Sequence, residues 1–206
     1  MDYTTIPVLA CRWSRNSFAV RHRENIECGE LSRDSLSMLS IGTLKFDGTP
    51  RIAVPFRDGM DAGSIERAVR EGADIAELRI DEFANRDAGH VIGEAKRFVP
   101  LPVLGTIRCE AEGGKWVGVS DTDRLELYRA IIPYVDAVDV ELSSGAILSD
   151  VIAAAHAAHK PVIVSFHDFA RTPECSVLDD VARRARDAGG DIVKVAAMCT
   201  AREDVR

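Results

Sequence analysis

The strongest constraint on this chain is an alternation, from residue 51 onward, of short apolar runs rich in β-branched residues with longer segments of helical periodicity. Such an alternation is typical of βα units that build a parallel sheet. Six runs have the length and composition of buried strands: Arg51–Phe56, Ala73–Arg79, Pro102–Arg108, Val135–Glu141, Pro161–His167 and Asp191–Ala196. The sequence therefore predicts an α/β fold with six parallel strands.

Five helices are predicted between these strands: Ala62–Glu71, Ala88–Phe98, Asp121–Ile132, Ala146–Ala158 and Ser176–Ala188. Asp121 is the expected N-cap of the third helix, because its carboxylate can accept a hydrogen bond from a free N–H of the first turn. Gly72, Gly189 and Gly190 stand where helices should end, since glycine readily adopts the left-handed conformation of a helix C-terminus.

The strands recur roughly every 23 to 33 residues, a spacing that fits both a (β/α)8 barrel and an open doubly wound sheet. A nucleotide-binding open sheet has no support, because neither G-x-G-x-x-G after the first strand nor G-x-x-x-x-G-K-[ST] occurs. A barrel has eight strands. If the chain forms a barrel, only the first six βα units are present, and periodicity alone does not separate this barrel from an open sheet.

The predicted barrel domain covers residues 38–206, and residues 1–37 are predicted to be a poorly ordered N-terminal extension. At the start of the domain, the apolar runs Met38–Ile41 and Thr43–Phe46 predict a small β-hairpin.

Charge and cysteine content limit the partners and the compartment. The net charge of -7 disfavours nucleic acid as a partner. The sequence has no run of roughly 18 apolar residues, which a membrane helix needs, and no apolar signal-peptide core near its start. Its five cysteines are scattered, without C-x-x-C pairs or zinc spacing. We expect a cytoplasmic protein with reduced thiols and no membrane partner.

Charged residues interrupt the predicted strands near their C-terminal ends, where α/β active sites are built. A charge inside a buried parallel strand is costly unless it is paired or functional. The interrupting residues are Glu77, Arg79, Arg108, Asp139, Glu141, His167, Asp168 and Lys194. Each could be a structural ion-pair or hydrogen-bonding residue, but on successive strand ends they are expected to converge on one pocket. A metal site is less favoured, because His167 is the only histidine among them.

The convergent set points to Schiff-base catalysis. Lys194 lies within an apolar run, and we expect burial beside Arg79 and Arg108 to lower its pKa toward neutrality, which an attacking amine requires. His167 can then act as general base and general acid, because an imidazole exchanges protons near neutral pH. The two arginines suit a small anionic, oxygen-rich substrate.

The motifs of residues 39–206 resemble the type I 3-dehydroquinate dehydratases of the shikimate pathway, which serves aromatic amino acid biosynthesis. The resemblance rests on five motifs taken in order: Glu77-Leu78-Arg79-Ile80-Asp81, Thr106-Ile107-Arg108 with Glu112-Gly113-Gly114, Asp139-Val140-Glu141, Ser165-Phe166-His167-Asp168-Phe169 with Thr172-Pro173, and Asp191-Ile192-Val193-Lys194-Val195-Ala196. It implies a (β/α)8 barrel of the class I aldolase type and a lyase that converts 3-dehydroquinate to 3-dehydroshikimate.

The resemblance also implies roles for individual residues. Lys194 would form the iminium, His167 would be general base and then general acid, and Glu112 would orient His167. Glu77, Arg79 and Arg108 would hold the ring hydroxyls of the substrate. Neither a metal nor an organic cofactor would be needed, and a homodimer would be expected by analogy.

This chain departs from the family pattern at its C-terminal end. The family's last two strands, a carboxylate-binding arginine and a Ser/Gln substrate lid have no counterpart here. We therefore expect the first and sixth strands to be open edges. Two alternatives stay open: a non-catalytic, truncated barrel that needs a partner chain, and a class I aldolase-like Schiff-base enzyme.

Overall fold

The structure, a computed structural model, describes residues 9–11, 39–46, 50–200 and 204. Six parallel strands dominate it: β4 (Ala53–Phe56), β5 (Ile75–Arg79), β6 (Val103–Thr106), β7 (Ala137–Glu141), β8 (Val162–Asp168) and β9 (Ile192–Ala197). They neighbour one another in sequence order, and every adjacent pair is parallel. The predicted fold is confirmed, and each predicted strand differs from the observed one by at most two residues at either end.

Five helices connect these strands and cover one face of the sheet: α1 (Ala62–Arg70), α2 (Ala88–Ala95), α3 (Asp121–Ile131), α4 (Leu148–Ala157) and α5 (Cys175–Asp187). Gly72 and Gly189, each with a φ of 100°, follow the ends of α1 and α5 as expected. The expected cap of α3 is wrong by one residue. Ser120, rather than Asp121, precedes the helix, and its hydroxyl accepts a bond from the N–H of Asp123 at 3.1 Å.

The sheet is curled into a half-barrel, as one contact requires. Lys194 on β9 lies 3.3 Å from the carboxylate of Glu77 on β5, although three strands separate the two. In a flat sheet these strands would stand about 19 Å apart, at roughly 4.8 Å per step, and the two side chains could not meet. Both therefore point into the concave side, and the helices pack on the convex side.

Side chains fill the concave side in layers, because every second residue of a strand faces the same way. The lower layer is apolar and consists of Ala53, Ile75, Leu104, Ala137, Ile163 and Ile192. Two residues further along five of these strands lies the middle layer: Glu77, Thr106, Asp139, Ser165 and Lys194. Two residues further again lies the upper layer: Arg79, Arg108, Glu141 and His167.

The predicted hairpin is confirmed and lies under the lower layer. Strands β2 (Ser40–Ile41) and β3 (Leu44–Lys45) pair antiparallel, with Ile41 opposite Leu44. Ile41 is fully buried against the lower layer, and Leu39, Leu44 and Phe46 pack beside it. The hairpin thus closes the N-terminal end of the half-barrel.

One predicted open edge is wrong. Strand β1 (Leu9–Cys11) pairs antiparallel with β9 and places Ala10 opposite Lys194. Most of the predicted extension, residues 1–37, lies outside the described residues. At the other end of the described sheet, β4 pairs with β5 alone. No helix in the described part of the chain is long and apolar enough to cross a membrane.

Candidate active site

Lys194 projects from β9 into the middle layer, where two carboxylates hold its ammonium group. Its Nζ lies 3.1 Å from Asp139 Oδ2 and 3.3 Å from Glu77 Oε1. The Thr106 hydroxyl donates to the same Glu77 oxygen at 2.9 Å, and the Ser165 hydroxyl donates to Asp139 Oδ1 at 2.7 Å. Only 12% of the lysine side chain is exposed. The strand ends therefore converge as predicted, and Lys194 lies at their centre.

The predicted pKa shift of Lys194 is wrong in direction. Burial favours the neutral amine, but the nearby Asp139 and Glu77 carboxylates outweigh burial and the repulsion of Arg108, so the pKa of Lys194 is raised. Arginines were expected beside the lysine, whereas the fold places the Asp139 and Glu77 carboxylates there. At neutral pH the resting lysine is a paired ammonium, and it must lose a proton before it can attack a carbonyl.

Arg108 is an internal cross-link of the site. Its Nη2 donates to Asp139 at 2.9 Å, and its Nη1 donates to Glu141 at 2.9 Å and to Ser165 at 2.6 Å. The residue is 3% exposed. Burial alone would lower the pKa of Arg108, but the Asp139 and Glu141 carboxylates raise it well above its usual value. The guanidinium therefore stays charged between the middle and upper layers.

Arg79 is the more accessible of the two predicted arginines. Its Nε and Nη2 donate to the two oxygens of Asp81 at 3.0 and 2.9 Å, and 23% of its side chain is exposed. Burial raises the pKa of Asp81, but the opposing hydrogen bonds and charge of Arg79, with backbone N–H bonds, lower it overall. Asp81 also accepts the N–H groups of Arg108 and Lys115, and so fixes both ends of the loop that carries Glu112.

His167 and Glu112 form a hydrogen-bonded pair at the mouth of the half-barrel. The distance from His167 Nδ1 to Glu112 Oε2 is 2.7 Å, and both side chains are less than one-tenth exposed. Glu112 ends a 3-10 turn, Glu110–Glu112, after which Gly113 has a φ of 78°. The Phe169 ring stacks on the imidazole at 6.0 Å and covers Gly113, where any Cβ would meet that ring at 2.8 Å. The pairing leaves Nε2 of His167 to face a ligand.

Sequence reasoning missed Arg124, which is 1% exposed although it lies on a helix. It donates to the carbonyl of Ile107 and to Ser144, both at 2.9 Å, and is also bonded to Glu141. A signal was present, because Arg124 and Tyr128 lie four residues apart on the buried face of α3. Arg124 is thus a cation on the buried face of α3, where an apolar residue is expected.

Cationic neighbours hold Asp139 and Glu141 in their charged form. Burial would raise the pKa of Asp139, but Arg108 and Lys194 lower it far below its usual value. The pKa of Glu141 is lowered against burial by Arg108 and Arg124. Two buried cations, Arg108 and Arg124, and the largely buried Lys194 thus face three buried carboxylates, those of Glu77, Asp139 and Glu141. Such pairing is what allows charges in the interior of a barrel.

The fold and the site define a βα-barrel protein with a buried lysine and a histidine–glutamate pair at the carboxyl ends of its strands. A family model described as type I 3-dehydroquinase matches residues 54–206. The chain belongs to the type I 3-dehydroquinase family.

Curated relatives carry the name 3-dehydroquinate dehydratase. One from Methanosarcina barkeri is 44% identical over 146 residues, which cover 68% of this chain and 60% of the relative. One from Methanococcoides burtonii is 33% identical over 172 residues, which cover 82% of this chain and 73% of the relative. The chain therefore spans about 60% of the length of the Methanosarcina barkeri protein.

Solved structures of the same name share the fold. The 3-dehydroquinate dehydratase of Aquifex aeolicus superimposes with a TM-score of 0.70 at 34% identity, over 76% of this chain and 71% of that one. The type I enzyme of Clostridium difficile, solved with covalently modified comenic acid, gives 0.72 at 29% identity, over 82% of this chain and 71% of that one. These matches agree with the curled parallel sheet described above.

Proposed function

We propose that this chain carries out the dehydration of 3-dehydroquinate to 3-dehydroshikimate, a step of the shikimate pathway, as a hydro-lyase that uses a Schiff base. The single observation that carries the proposal is the buried Lys194 at the centre of the converging strand ends, with the His167–Glu112 pair at the mouth above it. Family membership and the names of the relatives support it.

Lys194 is the proposed nucleophile. Its ammonium first gives up a proton, and the free amine adds to the ring ketone, whose oxygen leaves as water to form a protonated imine. This cation draws electrons from the neighbouring carbon and makes the C–H bond there acidic. The carboxylates of Asp139 and Glu77, which hold the ammonium in the resting site, also balance the charge of the imine.

His167 is the proposed general base and general acid. It takes the proton from the carbon beside the imine, which becomes an enamine, and then gives that proton to the ring hydroxyl that leaves as water. Water hydrolyses the remaining conjugated imine, which releases 3-dehydroshikimate and the lysine. Glu112 accepts the Nδ1–H of His167 and so keeps Nε2 toward the substrate.

Glu77, Arg79 and Arg108 are proposed to hold the ring hydroxyls. The exposure of Arg79 suits direct contact with a small anionic substrate. Arg108 already donates to Asp139, Glu141 and Ser165, so we propose that it acts mainly by fixing those partners. A cytoplasmic location and a homodimer are further proposals. The scattered cysteines support the location, and the family resemblance supports the dimer.

The experiment that tests the function combines trapping with turnover. The purified chain is incubated with 3-dehydroquinate and borohydride, and adducts are mapped by peptide mass spectrometry, while a parallel sample without reductant is followed by enone absorbance. We expect an adduct on Lys194 together with enone formation. Both should vanish in Lys194→Ala and persist in Lys96→Ala, a control at an exposed lysine next to α2.

Two other outcomes are informative. An adduct on Lys194 without an enone would contradict the dehydration and leave an aldolase-like reaction as the better explanation. Neither adduct nor enone from a folded chain would overturn the enzymatic proposal. The second candidate, a non-catalytic half-barrel with a partner chain, is favoured by the one-sided pairing of β4 within the described sheet.

A further inference from the structure

Ser143 is a polar residue next to the proposed catalytic pair that neither the motifs nor the mechanism has used. Its hydroxyl donates to Oε1 of Glu112, while Oε2 of the same carboxylate is bonded to Nδ1 of His167. Both oxygens of Glu112 are therefore occupied, one by the imidazole and one by the serine. The three side chains form a continuous hydrogen-bonded chain that ends at the imidazole.

The position of Ser143 continues the alternation of β7. Asp139 contacts Lys194, Glu141 contacts Arg108, and Ser143, two residues further, contacts Glu112. One segment of chain thus supports the proposed nucleophile, the buried arginine and the partner of the proposed base.

The backbone on either side of Ser143 is fixed by hydrogen bonds. The N–H of Leu142 donates to the carbonyl of Ser165 at 2.8 Å, and the N–H of Ser144 donates to the carbonyl of Glu141 at 3.0 Å. The Ser144 hydroxyl is buried against Arg124 and Glu141. Ser143 therefore presents its hydroxyl from a rigid turn, as a group that orients another must.

A glutamate that is bonded through one oxygen can still turn about its last torsion, because that torsion is broad. The Ser143 hydroxyl restricts this rotation, because it bonds the carboxylate oxygen that His167 does not use. We propose that Ser143 is a positioning residue, which orients the Glu112 carboxylate and, through it, the His167 imidazole. This inference rests on the proposed function, in which His167 transfers the proton.

The test compares Ser143→Ala, Ser143→Thr and Ser149→Ala. Ser149 is an exposed serine of α4 outside this hydrogen-bonded chain, so its variant controls for loss of a surface hydroxyl. We expect Ser143→Ala to lower kcat by about 5- to 10-fold, as for loss of one orienting hydrogen bond, with KM changed less than twofold. Ser143→Thr keeps a hydroxyl and should restore most of kcat, and Ser149→Ala should match the parent. A rise in KM at constant kcat would instead indicate substrate binding and overturn the positioning role.

A second readout does not depend on turnover. With imidazole-labelled histidine, the Nδ1–H of His167 should give a slowly exchanging proton resonance in the parent chain. The resonance should broaden or exchange faster in Ser143→Ala and recover in Ser143→Thr. An unchanged resonance in Ser143→Ala would overturn the inference, even if the parent chain proved inactive, so its failure is separable from failure of the proposed function.

Discussion

The lower and middle layers of the half-barrel share five strands, on which their residues lie two positions apart, yet the lower layer is apolar and the middle layer is charged and polar. The lower layer is held by burial of aliphatic surface, which stabilises the fold without regard to charge or direction. The middle layer has value only while each charge keeps its partner, because an unpaired charge in the interior is strongly destabilising. One sheet therefore carries both an apolar layer that stabilises the fold and a charged layer that forms the proposed active site.

The largest effect is expected where the middle layer loses a charge. Asp139→Asn keeps the size of the side chain but removes the negative charge that faces both Lys194 and Arg108. We expect the free energy of unfolding to fall by about 3–5 kcal/mol, the cost of breaking a buried ion pair. Urea denaturation followed by circular dichroism measures it. A loss under 1 kcal/mol would mean that the ion pairs contribute little.

A cavity in the lower layer should cost somewhat less. Leu104 is 2% exposed and packs among Ile75, Ala137 and Ile163. Leu104→Ala is expected to lower the free energy of unfolding by about 3 kcal/mol through lost burial and an unfilled cavity. The same denaturation series, repeated in high salt, should leave this difference unchanged. A strong salt dependence would show that the two layers are coupled rather than independent.

Acid should weaken the two charged layers, the middle and the upper, more than the apolar lower layer. Burial raises the pKa values of Asp139 and Glu141, but their cationic neighbours lower both pKa values overall. These carboxylates therefore stabilise the fold at pH values above their unfolded pKa values, which are near 4. This contribution is lost as the pH falls below the unfolded pKa values and through the lower folded pKa values. Unfolding measured between pH 5 and pH 2 should show a steep slope in the parent and in Leu104→Ala. The slope should be shallower in Asp139→Asn, and equal slopes in all three would contradict the assignment.

The smallest loss of stability is expected when the middle layer loses a neutral group. Ser165→Ala removes a hydroxyl that donates to Asp139 at 2.7 Å and accepts from Arg108 at 2.6 Å. Both charged partners keep each other, so we expect a loss of about 1–2 kcal/mol. The comparison with Asp139→Asn separates the value of a hydrogen bond from that of a charge. If both variants lost the same stability, charge would not be what distinguishes the layer.

The strands, the helices and the convergence of Glu77, Asp139 and Lys194 were predictable, because each depends on periodicity and on the rule that parallel strands end at one edge. The sequence did not show which charged side chains at that edge contact one another. The pKa of Lys194 was predicted in the wrong direction for this reason: Arg79 turns to Asp81, and two carboxylates face the lysine instead.

Arg124 and Ser143 show a second limit, since one lies on a helix and the other on a turn. Charged residues on helices and serines in turns are ordinarily solvated, so neither residue type suggested a site. Their roles depend on contacts with Glu141 and Glu112, which are distant in sequence. The pairing of β1 with β9 was likewise missed, because three residues without periodicity carry no strand signal.

The hairpin formed by β2 and β3 closes one end of the half-barrel and leaves the carboxyl ends of the strands open. Ile41 and Phe46 close the space beneath the lower layer, where the remaining cavity of about 40 Å³ is too small for a ring-sized ligand. A ring-sized ligand therefore cannot reach Lys194 through the end of the half-barrel that the hairpin closes. A product that stays bound at the carboxyl ends of the strands occupies the space that the next substrate molecule needs, and so competes with it.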